Sequence, residues 1–311
     1  MNPFSNAVPD AALEPHGSEP AALQPTRLLY WSIRRELWES RWIYIAPLAA
    51  AALVLAGFLI SAIHLPGKMR AASALDSAPQ HELIQQPYNF AALLLMGVAI
   101  IVAVFYCLDA LYGERRDRSV LFWKSLPVSD RTTVLAKASI PILILPLLTF
   151  AITVVTQGLM FLVSSAVLLG SSDLSVATLW RHLLLWQTWL MLFFHLIGIH
   201  GLWYAPFFCW MLLVSAWARR APFVWAVLPP FAIAILEKIT FDTSHFVALL
   251  EYRFMGGPEG AKYIPGTMSM DPLSQLSPGH FLISAGLWSG LVVAAIFLAA
   301  AIRLRRYRDP I

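Results

Sequence analysis

The chain is 311 residues long, 59% hydrophobic and only 13% charged, a balance that a water-soluble surface cannot accommodate. Its net charge of +4 does not indicate a nucleic-acid partner, because the basic residues sit at the edges of apolar stretches, where they set membrane orientation. The two cysteines, Cys107 and Cys209, each lie inside an apolar stretch, which excludes a disulfide framework and a paired-cysteine metal site.

Residues 1–26 have neither the basic start nor the apolar middle of a signal peptide, and their Pro- and Ala-rich composition predicts a disordered cytosolic tail. Residues 27–311 read as one transmembrane domain. Residues 28–42 (LLYWSIRRELWESRW) gather Ser32, Arg35, Glu36 and Glu39 on one helical arc, which predicts an interfacial helix.

A helix needs about 20 apolar residues to cross the hydrocarbon core, and six stretches qualify. The first, at 43–63, closes at Pro66-Gly67 before a polar connection with Asp76, Gln80, Gln85 and Gln86. The second spans 90–112. Next comes YGERRDRSVLFWKSLPVSDRTTVLAK (112–137), too charged for lipid and carrying a short surface helix from Val120 to Leu126 that Pro127 terminates.

Ser129 or Asp130 can cap the third span, placed at 134–169. That stretch and the fourth, at 183–217, are both long for one crossing and are interrupted by Pro141, Pro146 and Pro206. Splitting both would give eight spans, and six is the preferred count. A fifth span covers 222–239, an outer loop 241–280, and a sixth span 281–302. The fold class is therefore an all-α integral membrane protein with six transmembrane helices.

With both termini inside, sixteen of the 22 Lys and Arg residues fall on one face of the membrane, as the positive-inside bias requires of an even number of spans. The remaining six are Lys68, Arg70, Arg181, Lys238, Arg253 and Lys262. This orientation places both termini in the cytosol.

No GxxxxGK[ST] phosphate loop occurs, so the chain by itself has no means of hydrolysing ATP. The ionisable candidates at membrane depth are His195, His200, Asp109 and Glu237, and they form neither a catalytic set nor a metal site. On an α-helix His195 and His200, five apart, point about 140° from each other, so a role in hydrogen bonding between helices is favoured for them. The aromatic run from Trp180 to Trp217, with Trp203 and Tyr204, either lines a cavity or packs and anchors the helices. Glu237-Lys238 either pair with each other or guide a solute at the outer exit.

From Glu114 to Pro127, the large apolar residues Phe122, Trp123 and Leu126 stand beside Arg115, Arg116, Asp117, Arg118 and Lys124. That mixture suits docking into a partner's groove or resting on anionic lipid. The whole segment resembles the stretch between the second and third spans of bacterial ABC transporter permeases of the type-2 exporter class. So does WYAPFFCWMLLVSAWARRAPFVWAVLPP (203–230). The likeness covers these blocks specifically and the six-span plan generally.

The resemblance implies a coupling helix received by an ATPase subunit, with docking roles for Glu114, Arg115, Arg116, Asp117, Arg118, Phe122, Trp123, Lys124, Leu126 and Pro127. It also implies a connecting helix at 28–42 and short outer helices within 241–280. His195, His200, Trp203 and Tyr204 are then candidates to line the pathway. The implied partners are two ATPase subunits holding ATP and Mg, with no cofactor on this chain, and a second copy or a similar permease, all at the bacterial inner membrane. The alternatives are a proton-coupled carrier or intramembrane enzyme using His195, His200 or Glu237, and a purely structural anchor.

Overall fold

The computed structural model describes residues 25–73, 77–119, 128–170, 183, 185–254 and 278–307. Among the described residues all regular elements are helices. Six are long and apolar enough to cross a membrane: Trp42–Ala62, Pro79–Arg116, Asp130–Leu169, Leu185–Trp203, Pro222–Phe241 and Ala285–Tyr307. The predicted tail up to residue 24, the helix expected at Val120 to Leu126 with Pro127, and residues 255–277 of the outer loop lie outside the described residues.

Helix α1 (Pro25–Glu39) leads into α2 (Trp42–Ala62). The polar arc of α1 faces inward: Ser32 and Glu36 are buried, while Tyr30, Trp31 and Trp38 are exposed. This reverses the usual soluble pattern and fits a helix whose outer side meets lipid and whose partners supply charge. The connection expected after Pro66-Gly67 is instead helix α3 (Leu65–Ser73). Pro66 falls in the first turn, where its missing N–H costs nothing.

Helix α4 (Ser77–Asp109) starts well before the predicted residue 90. Its early glutamines belong to the helix because they have partners to meet, Gln85 donating to the Thr188 hydroxyl at 3.2 Å. A short turn separates α4 from α5 (Tyr112–Arg116).

The third span, α6 (Asp130–Leu169), is one continuous run. Of the two candidate caps Ser129 serves, its hydroxyl accepting from Thr132 N at 3.1 Å. At about 60 Å by the helical rise, α6 is twice a bilayer core in length. It accommodates its prolines by widening to a π-helix at Ile140–Ile144.

The 183–217 stretch is broken rather than straight. Helix α7 (Leu185–Trp203) widens to a π-helix over Leu196–Trp203 and ends at Tyr204, and α8 (Ala205–Trp217) resumes beyond it. Pro206 supplies no N–H to close the missing turn. The start of α7 lies near Gln85, and the end of α8 lies against Leu111 and Tyr112, whose amides donate to the Ser215 hydroxyl at 3.0 and 2.8 Å. Thus α7 and α8 together follow the length of α4 from one end to the other.

Helix α9 (Pro222–Phe241) has no buried residue. Helix α10 (His245–Phe254), α11 (Pro278–Ile283) and α12 (Ala285–Tyr307) complete the chain. The core lies between α8 and α12, through Cys209 and Ala294 and again through Ala216 and Ala301, and among α2, α4 and α6 around Ala51, Leu95 and Ile152.

Candidate functional site

One end of the bundle carries a buried network of charge. Lys137, on the first turns of α6, lies 2.9 Å from Glu36 of α1 and 3.1 Å from Glu114 of α5. Arg35 reaches Glu36 at 2.7 Å and Glu114 at 3.3 Å. Arg305, near the end of α12, pairs with Glu114 and lies 3.1 Å from Asp130. Tyr106 donates to Glu36 at 3.0 Å.

Three cations thus meet three carboxylates, and four segments distant in sequence are tied at one point. Burial pushes the Glu36 carboxyl up, but Lys137 and then Arg35 outweigh it and hold the group below its ordinary value of 4.5. Glu39, at the rim, is raised by burial and by the neighbouring Glu36. Breaking such a buried set by removing one partner costs about 3–5 kcal/mol, because the charge left behind has neither water nor a counterion.

Beside this network the predicted coupling residues divide into two groups. Glu114 and Arg115 are buried. Arg115 donates to the carbonyls of Ala216 at 2.5 Å and Ala218 at 3.2 Å, at the end of α8. Arg116, Asp117 and Arg118 are exposed, with Arg116 bonded to Asp117 at 2.9 Å. Phe122, Trp123, Lys124, Leu126 and Pro127 lie outside the described residues.

The network itself escaped the sequence reading, which took Lys137 and Arg305 as orientation charges, Glu36 as part of an amphipathic arc and Asp130 as a possible cap. The available signal was the acid-base pairing of Glu36, Glu114, Lys137 and Arg305, each at the edge of a different apolar stretch.

The second arrangement concerns the membrane histidines. A five-residue spacing separates two side chains on an α-helix, but a π-helix closes its hydrogen bonds from i to i+5 and stacks residues five apart. His195 and His200 accordingly have ring centroids 5.4 Å apart, which corrects the expectation that they diverge. His200 is 7% exposed, and its two ring nitrogens, like Nδ1 of His195, are buried without a hydrogen-bond partner. The favoured role in bridging helices is therefore not what His200 performs here.

The π segment of α7 crosses that of α6 at Gly201. A Cβ at this position would overlap the Ile142 carbonyl oxygen, so only glycine permits the approach. Pro146, four residues after Ile142, has no N–H to give that oxygen.

Trp203 and Tyr204 hold α10. Trp203 is fully buried, its indole donating to the Arg253 carbonyl at 2.8 Å, and the Tyr204 hydroxyl donates to the Phe254 carbonyl at 2.9 Å. The Arg253 guanidinium stands 4.2 Å from the Trp203 ring and donates to Gly286 O at 2.6 Å. Glu237 is occupied at the start of α10, accepting from Thr243 Oγ1, His245 N and Phe246 N at 2.7–2.9 Å. Away from the charged end, a cavity of about 370 Å³ between α2, α3 and α4 is lined mainly by apolar groups such as Phe58, Met69, Ile84 and Tyr88, with Lys68 among them.

No protein-family model matches the chain. No curated protein matches it in sequence, and no solved structure matches it in fold. Among the described residues no group of three or more His, Cys, Asp or Glu is placed to hold a metal ion.

Proposed function

We propose that the chain is the membrane-spanning permease subunit of an ATP-driven exporter, which receives conformational work from a separate ATPase subunit. The observation that carries this reading is the mounting of α5. The segment after the second span turns Arg116, Asp117 and Arg118 outward, while Glu114 and Arg115, next to them, are anchored into α1, α6, α8 and α12.

A push on the outward face is thereby delivered together to the ends of α1, α6, α8 and α12, of which α6 is also ion-paired directly to α1 and α12. An isolated loop helix resting on lipid has no need of three ion pairs through Glu114 and of a buried arginine bonded to the carbonyls that end α8. The surface receiving the ATPase comprises Arg116, Asp117 and Arg118 with Phe122, Trp123, Lys124, Leu126 and Pro127. Glu114 and Arg115 transmit rather than touch.

In this reading α1 lies along the cytosolic face of the bacterial inner membrane, both termini are cytosolic, and a second copy or a similar permease encloses the pathway. The gathering of α1, α5, the start of α6 and the end of α12 at one end supports an even number of crossings. ATP and Mg belong to the partner. Binding and hydrolysis there would bias the bundle between two states.

The test is co-expression with ATPases bearing a phosphate-binding loop, followed by purification through a tag on this chain. An ATPase retained by the wild type and lost from Arg116→Ala and Trp123→Ala, with unchanged melting of the bundle, is the expected result. Transport by the reconstituted chain without any ATPase sinks the proposal. The convergence of His195 and His200 favours one second reading, a cation-coupled carrier, in which those two substitutions leave function untouched.

A further inference from the structure

The outward side of α1 carries a pattern that the bundle does not use. Arg27, Tyr30, Trp31, Arg34 and Trp38 fall within about 100° of the helix circumference, and all of them are exposed. Arg41 and Trp42, also exposed, continue the stripe at the joint with α2. Glu36 stands on the opposite side, against Lys137. Neighbouring arginines differ accordingly. Arg35 is paired with Glu36, Glu39 and Glu114, whereas Arg27, Arg34 and Arg41 have no carboxylate within ion-pair distance among the described residues.

We propose that this stripe is a binding surface for acidic phospholipid, in the leaflet at the charged end of the bundle. Depth is the first argument. The middle of α1 is tied through Glu36 to Tyr106, near the end of α4, and to Lys137, near the start of α6, so α1 lies level with the ends of two spans. Trp42 opens α2, itself apolar and long enough to cross a membrane. Exposed Trp rings at that level belong where the apolar interior gives way to headgroups.

Charge selects the headgroup. The Arg34 guanidinium lies 5.2 Å from the Trp31 ring and 5.7 Å from the Trp38 ring, contacts that steady it while its N–H edge stays open to oxygen acceptors. A guanidinium meets a phosphate through two parallel hydrogen bonds. Successive arginines of the stripe are seven residues apart, about 10 Å along the axis, so they engage separate phosphates rather than crowd one. A zwitterionic headgroup brings an ammonium beside its phosphate, which a row of cations with no intervening acid repels. A headgroup such as phosphatidylglycerol brings none. An acidic protein surface is the other occupant to weigh, but it would have to cover Trp31, Trp38 and Trp42 at the depth where lipid already meets them. The surface depends on α1 lying at the membrane and not on an ATPase driving the chain.

The experiment places the purified full chain in nanodiscs of phosphatidylcholine with a minor fraction of dibrominated phosphatidylglycerol, and reads quenching of Trp fluorescence against the same fraction of dibrominated phosphatidylcholine. In the parent, phosphatidylglycerol should be enriched at the stripe by on the order of tenfold, an excess that falls as salt rises. The excess should be lost in Arg27→Gln/Arg34→Gln/Arg41→Gln. It should shrink in Trp31→Phe/Trp38→Phe/Trp42→Phe, which removes the reporters on this face. Size exclusion and melting check the fold, and Arg34→Gln alone is a milder variant expected to lose part of the excess. Equal quenching by the two lipids in the parent overturns the proposal, as does an excess left undiminished by the Gln or the Phe substitutions. A partner protein held by the parent and not by the triple Gln variant, with no lipid preference in either, assigns the face to protein and overturns it too.

Discussion

Replacing Lys137 by Met isolates the contribution of the buried charge network. The side chains are of similar length, so packing is nearly preserved and the charge alone is removed. Lys137 is 3% exposed in its side chain and lies 2.9 Å from Glu36 and 3.1 Å from Glu114, so two carboxylates lose a shared counterion. Removal of one partner from such a set costs about 3–5 kcal/mol. At about 2–4 °C per kcal/mol for a chain of this order of size, the melting temperature should fall by on the order of 10 °C.

Neutralising the opposing acid as well, in Glu36→Gln/Lys137→Met, should recover a large part of the loss, because Arg35 and Arg305 remain for Glu114. The assay is melting of the detergent-purified chain followed by intrinsic Trp fluorescence at one fixed scan rate, since unfolding in detergent is commonly irreversible. The exposed Arg131→Met serves as the control.

The pH dependence has a definite sign. Glu36 is held below 4.5 in the folded chain, so its stabilisation is complete above that value and is lost as pH falls from 4.5 through the lower folded value. The wild type should therefore lose its advantage over the double variant only on acidification below 4.5, and not between pH 6 and pH 8. A single variant that melts with Arg131→Met, or a double variant no better than the single, refutes the network's role.

Gly201→Ala should cost about 3 kcal/mol, the upper end for overpacking, because the new methyl meets backbone at Ile142 rather than a movable side chain; the same melting assay reads it. Ser215→Ala leaves the Leu111 and Tyr112 amides without their acceptor and should cost about 1–3 kcal/mol, with faster hydrogen exchange confined to the α4–α5 turn. Trp203→Phe keeps the ring over Arg253 but removes the bond to its carbonyl. It should loosen α10, read as increased protease cleavage after Arg253, while global melting moves by only a few degrees.

The sequence makes the helices easy to read and their couplings hard to read, and the reason is physical. Hydropathy over a window reports the solvent a segment will occupy, so the spans at α2, α9 and α12 are legible to within a few residues. Register against other helices is set by pairs far apart in the chain. Nothing in LLYWSIRRELWESRW says whether Glu36 faces water or Lys137, and the buried orientation emerges only when α5, α6 and α12 bring their own charges to the same place. The histidines mislead for a different reason. An angular argument presumes 3.6 residues per turn, and the local failure of that presumption near Pro206 is what makes a pair of them.

The two unusual features divide the work a moving bundle needs. The ionic network joins α1, α5, α6 and α12 with no slack, since a displaced charge would be left desolvated, and these elements are expected to move as a block. The π segments of α6 and α7 are the opposite: their hydrogen-bond register is one residue away from an ordinary α-helix, so a shift there exchanges one set of bonds for another at modest cost. On the proposed coupling, motion delivered at α5 passes through the rigid end first, along α6 from Lys137, and arrives three residues later at Ile140, where the first π segment begins and Gly201 bears on it. Any rearrangement of that crossing also changes the spacing of His195 and His200, because their proximity depends on the π register. Any state that returns α7 to a regular helix must therefore separate the two rings.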